Sequence, residues 1–199
     1  HFPRTLTRRG GTDWVLEELD CSPPPFAALN TAATTVYASA ATGSITLNAS
    51  ASLFTAAMVG EAFYLAEKDV RSTTLWEAGK AITAGNVRRS DGKNYEALNS
   101  ATTGGIKPTH ASGAVYDGDT GVQWQFLDPG YGYATITGYT SATQVAATVV
   151  DRIPANAVGA GNPSTRWARQ AWNATDGYPD AVTFFRERAV WSRDATLWF

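Results

Sequence analysis

The stretch that most constrains this chain is residues 132–154, GYATITGYTSATQVAATVVDRIP. Two runs of β-favouring residues, ATITGY and QVAATVV, flank a short link of small and hydroxyl residues at 140–143. In the first run Tyr133, Thr135 and Thr137 share a face, opposite Ala134, Ile136 and Gly138. In the second, Val145, Ala147 and Val149 oppose Ala146, Thr148 and Val150. Side chains alternate across a strand, so this patterning about a polar link predicts a β-hairpin. Pro154 has no N–H to give to a ladder and ends the second strand. A hairpin alone is marginal in water and must bury one face against other strands.

Those strands are sought upstream. Residues 36–65 read strand, strand, turn, strand: Gly43-Ser44 opens SITLNAS, where Ile45 and Leu47 alternate with Thr46 and Asn48. Thr55 is placed to cap a single helical turn, Gly60 to end it, and EAFYLAE to continue as a strand. Residues 71–130 differ, with aromatic side chains set among Gly, Asn, Asp and Ser and with the turns SDGK and YDGDTG. The predicted fold class is therefore mainly β. Residues 31–70 joined with 131–155 form a small antiparallel barrel or sandwich, and 71–130 form a small β lobe inserted into it. Strands of a larger β platform flank both, residues 1–30 giving a strand (a short helix competes) and a Pro-rich linker. Residues 156–199 give a short helix, RWARQAW, capped by Ser164 or Thr165, and a platform hairpin.

Composition narrows the function. Of 199 residues 44% are hydrophobic and 17% charged, enough apolar surface for a core and too little charge for a disordered tail. A net charge of −2 disfavours specific nucleic-acid binding, and Arg88-Arg89 and Arg186/Arg188 read as solvated faces. Cys21 is the only cysteine and has no His or basic neighbour to activate it, so it reads as an ordinary loop or buried thiol. No run approaches the ~18 apolar residues of a membrane helix. The start at His1 and the terminal TLWF read as the edges of a piece of a longer protein.

Catalysis and cofactors are not expected. His1 is terminal, His110 lies in a polar turn, and no metal-ligand spacing occurs. Asp117 and Asp119 resemble part of a calcium loop, but Gly118 comes early and no closing Glu follows, so a turn is the expected role. GGIKPTH and VGAGNPS lack the ending of a phosphate loop, and Glu17/Glu18 carry no geometry that would make them a catalytic pair. The positive signal is aromatic. Trp76, Tyr95 and Trp124 are candidates for stacking on glycan rings, with a role as lobe core as the alternative. Tyr178, Phe184, Phe185, Trp191 and Trp198 are candidates for contact with neighbouring parts of an assembly.

Longer blocks carry two resemblances. SITLNASASLFTAAMVGEAFYL, the run from DGKNYEALN to QVAATVV, and RWARQAWNATDGYPDAVTFFRERAVW, preceded by WVLEELDCSPPPFAALN, together resemble a module of bacteriophage tail proteins of the nozzle, or tail tubular, kind. The part 130–154 also looks like the small β domain named after the first catalytic-cysteine half-domain of ubiquitin-activating enzymes, a likeness that gives Cys21 no role. The tail resemblance implies a non-catalytic virion protein in a ring at the tip of a short tail. Its partners would be other copies of the same subunit and other tail proteins, and DNA would pass without specific binding. Separately, Trp76, Gly85-Asn86-Val87, residues 91–97 (DGKNYEA), Pro108 and Trp124 are similar to small chitin- or cellulose-binding modules. That implies a host-surface glycan as an alternative partner, although Leu98-Asn99 stands where those modules place an exposed Trp.

Overall fold

The computed structural model describes residues 1–118 and 121–198 and divides into two compact units, 29–167 and 1–28 with 168–199. Antiparallel strands dominate. Residues 1–28 carry a hairpin of β1 (Arg4–Arg8) and β2 (Trp14–Glu18). The chain then enters the larger unit at β3 (Val36–Ala38), β4 (Ser44–Ala49) and β5 (Ala62–Ala66). A 3-10 turn, Ala56–Met58, lies between β4 and β5 with Thr55 at its N-cap, and Gly60 follows at a φ of 94°.

The organising hairpin forms as the alternation predicts. Strands β12 (Tyr131–Ser141) and β13 (Gln144–Asp151) pair antiparallel, β12 also pairs with β5, and β13 with β4. Across this unit the order is β5-β12-β13-β4-β3, and the sheet curls into a half-barrel. Ala134, Ile136, Val145 and Ala147 point inward and are buried, while Thr137 and Thr148 are exposed. Ile45 and Leu47 from β4 join them, and Val149 packs against the same cluster. Early and late segments therefore share one core. Phe63 sits at its centre with Phe54 and Trp167 each 5.6 Å away.

One later segment meets both open edges of this sheet. Val158 and Ser164 bridge to Ala38 and Val36 on β3, and the Ala66 N–H donates to the Arg166 carbonyl beside β5 (2.9 Å). The helix expected at RWARQAW does not form: Trp167–Arg169 is strand β14. Its backbone carbonyls accept from Asn30 N–H (2.8 Å, at Trp167) and Ala27 N–H (2.9 Å, at Arg169), while the Trp167 indole donates to the Thr34 carbonyl (2.9 Å). Bonds to partners distant in sequence outweigh the local preference.

The lobe leaves the sheet after β5 and returns at β12, which are adjacent: Ala66 pairs with Tyr131, and the Glu67 N–H donates to the Gly130 carbonyl (3.0 Å). Between them run β6 (Ala81–Ile82), β7 (Val87–Ser90), β8 (Lys93–Ala97), β9 (Ala101–Thr102), β10 (Ala114–Tyr116) and β11 (Gln123–Asp128). Four of these make a sheet of order β10-β11-β8-β7, and β6 pairs with β9. Asp91 (φ 46°) and Gly92 (φ 78°) turn β7 into β8 with both central residues left-handed, the geometry Asp-Gly accommodates best. Residues 168–198 end in a meander, β15 (Ala181–Phe185), β16 (Arg188–Arg193) and β17 (Thr196–Trp198).

Candidate functional site

Three places merit attention, each built by a different part of the fold. The first is the core of the lobe. Tyr95 on β8 and Trp124 on β11 are fully buried and pack with Ile82, Ala97 and Val122, with Trp76 half-buried at the margin. Their ring faces are covered by protein. This corrects the glycan-stacking expectation for Tyr95 and Trp124, because a ring that supplies the interior of so small a lobe has no face left for a sugar.

Those indoles share one anchor. Asp117 is buried; its Oδ2 accepts from the Trp124 Nε1–H (2.9 Å) and the Trp76 Nε1–H (3.3 Å), and its Oδ1 from the Val122 N–H (2.8 Å). Asp117 lies in the bend that follows β10, as the turn expectation has it, and its carboxylate is also the polar centre of the lobe. Asp119, its companion in the calcium-loop comparison, lies outside the described residues. Two glycines permit the approach: a Cβ on Gly121 would lie 1.9 Å from Asp117 Oδ1, and one on Gly104 would lie 1.9 Å from the Asp117 carbonyl oxygen. Tyr95 completes the arrangement, donating from its hydroxyl to the His110 carbonyl (2.6 Å), while His110 Nε2 lies 3.0 Å from the Trp124 carbonyl. Burial pushes the Tyr95 phenol up to about 12, with Asp91 adding to it.

The second place is the polar junction between lobe and barrel. Glu67, at the end of β5, is fully buried and paired with Arg89 of β7, so Arg89 is not the solvated charge its sequence neighbourhood suggests. The Asn94 amide donates to Asp128 Oδ1 (2.7 Å) and Glu67 Oε2 (3.4 Å), and the Gly130 N–H donates to the same Asp128 oxygen (3.0 Å). Burial raises the Asp128 carboxyl above the usual carboxylate range; the bonds from Asn94 and Gly130 and the charges of Arg152 and Arg89 oppose it. Burial lowers the Arg89 guanidinium. A cleft of about 290 Å³ opens beside this junction, lined by Thr73, Asn94, Glu96, Asp128, Arg152 and Asn156 among others. No signal in the sequence marks it, since its residues come from four separated segments.

The third place is the meander. Phe184 is 79% exposed and Phe185 59%, and Val182 is exposed beside them on the same strand. Among the described residues strand β15 pairs with β16 alone, and it shows apolar side chains on both faces. The other assembly candidates are engaged within their own unit: Trp191 and Trp198 pack edge-on against Trp172 (5.5 and 5.8 Å), and Tyr178 lies 5.7 Å from Phe2. On the β1–β2 hairpin Leu6, Trp14 and Leu16 are more than half exposed.

Among the described residues no group of three or more His, Cys, Asp or Glu is placed to hold a metal, and no helix is long and apolar enough to cross a membrane. Burial, then Asp20, pushes the Cys21 thiol up, opposite to what a nucleophilic thiolate requires. No family model matches the chain, and no curated protein matches it significantly.

Proposed function

We propose that this chain is a non-catalytic structural component of a bacteriophage tail, of the nozzle or tail tubular kind, acting in the virion through assembly with other copies of itself and other tail proteins. The observation that carries the reading is strand β15: an outer strand with Val182, Phe184 and Phe185 exposed on its two faces. An unpaired apolar strand edge is a template for another chain, and monomeric proteins usually blunt such edges with charge, proline or a cover. The exposed apolar side chains of the β1–β2 hairpin support the same reading, as strands of a platform that neighbouring subunits complete.

An antibody raised against the chain tests it. Electron microscopy of particles produced from the genome that carries the gene should show label at the tip of a short tail. Particles that form normally and carry no label, at the tip or elsewhere, overturn the proposal. The alternative, binding of a host-surface polysaccharide through the aromatic trio, keeps only Trp76 as a partly accessible ring.

A further inference from the structure

We propose that the cleft between lobe and barrel binds a single neutral sugar residue, a function separate from assembly and using none of the aromatic trio. Its polar groups are incompletely satisfied in a specific way. Asn94 is 4% exposed, and its Nδ2 is committed to the carboxylates of Asp128 and Glu67, which fixes the amide's orientation. Its Oδ1 is thereby buried with no hydrogen-bond partner among the described residues, and the Arg152 Nε is in the same condition. Arg152 Nε lies 4.0 Å from Asp128 Oδ2, close enough for attraction and too far for a hydrogen bond. No hydrogen bond among the described residues reaches that Asp128 oxygen. Unmatched donors and acceptors at this depth are costly unless something completes them.

The ligand class follows from charge and size. The lining carries two carboxylates, Asp128 and Glu96, and one guanidinium, Arg152, a balance that disfavours an anion. A cation would have to sit beside Arg152, and the site lacks the set of several acidic oxygens that such ions require. A hydroxyl group both donates and accepts. Adjacent hydroxyls on a ring can accept from Arg152 and donate to Asp128 at once, and the hydrogen-bonded Thr73–Asn156 pair (2.9 Å) also lines the cleft. Val87 and Leu127 offer apolar wall to the ring's C–H face. The volume, about 290 Å³, is at the lower end of small-molecule sites and suits one ring rather than a chain.

The test is a nuclear magnetic resonance titration of the isotope-labelled 199-residue chain. Glucose, galactose, N-acetylglucosamine and rhamnose are added separately, with inorganic phosphate and calcium as comparison ligands. At least one sugar should give saturable shifts of the Gly130 amide, the Asn94 and Asn156 side-chain amides and the Arg152 Nε–H. Arg152→Ala should weaken that binding by about tenfold or more, the usual cost of losing a charged hydrogen bond, while leaving the remaining spectrum in place. Asp128→Asn should do the same; where that buried substitution prevents folding, Glu96→Gln at the cleft wall replaces it and should weaken binding less than Arg152→Ala. Absence of saturable shifts with all four sugars overturns the proposal. So does a stronger response at these residues to phosphate or calcium, or sugar shifts confined to Trp76 and its surroundings.

Discussion

Asp117 shows how much one side chain can organise. It accepts three N–H groups, two of them buried within the lobe and one from Trp76 at its margin, so truncation strands the Val122 and Trp124 donors in an apolar interior. Asp117→Ala should destabilise the larger unit by about 3 kcal/mol, read by urea denaturation followed through tryptophan fluorescence; a loss well under 1 kcal/mol would show that the donors find other partners. Tyr95 gives the expected pH response. Its phenol is raised from 10.0 to about 12 in the fold, so its contribution is intact below the unfolded value and fades as pH rises from 10.0 toward 12. Tyr95→Phe should flatten that alkaline loss in a stability-against-pH series, while costing about 1 kcal/mol at neutral pH for the bond to the His110 carbonyl. Neither set of hydrogen bonds was legible in the sequence, although a core role for Tyr95 was, as the alternative to stacking. A carboxylate beside glycine reads as a turn, and Asp117 does sit in one; what that reading misses is the burial of its carboxylate, which rests on close packing that Gly104 and Gly121 allow. The aromatic pattern did show that Tyr95 and Trp124 matter, but a ring's type does not say whether it faces a ligand or the interior.

At the level of strands, the period-two signal carried furthest. β12, β13 and β4 have the faces that alternation predicts, because one side must be apolar for the sheet to bury it. Ile136→Ala, deleting a side chain from the middle of that face, should cost roughly 3 kcal/mol, visible as a lowered denaturation midpoint. β14 went the other way. Its residues favour a helix locally, and hydrogen bonds to Ala27 and Asn30 settle them as a strand, information no window of neighbouring residues holds. The junction of β5 with β7 was equally hidden, since Glu67 and Arg89 are separated by the start of the lobe. Arg89→Leu leaves Glu67 buried without its cation and should destabilise by about 3–5 kcal/mol, whereas replacing both with apolar residues should recover much of that loss. A double-mutant cycle on denaturation midpoints distinguishes the two outcomes.

For the molecule as a whole, the fold class was readable because mainly antiparallel architecture follows from many short alternating runs separated by turn residues. Assembly belongs to this scale. Phe184→Ser with Phe185→Ser should change stability by no more than about 0.5 kcal/mol, since both side chains are largely exposed. The same pair should abolish incorporation into particles in a complementation assay; undiminished incorporation would remove β15 from the contact. The isolated chain itself should scatter light as a monomer or a weak associate. The departure and return of the lobe at neighbouring strands has one more consequence. Because Ala66 and Tyr131 are already paired, the two stumps left by excising the lobe lie side by side, where a tight hairpin turn can seal them. The half-barrel thus offers a socket into which another module with adjoining termini can be spliced, provided that the newcomer supplies a cation to Glu67 as this lobe does through Arg89.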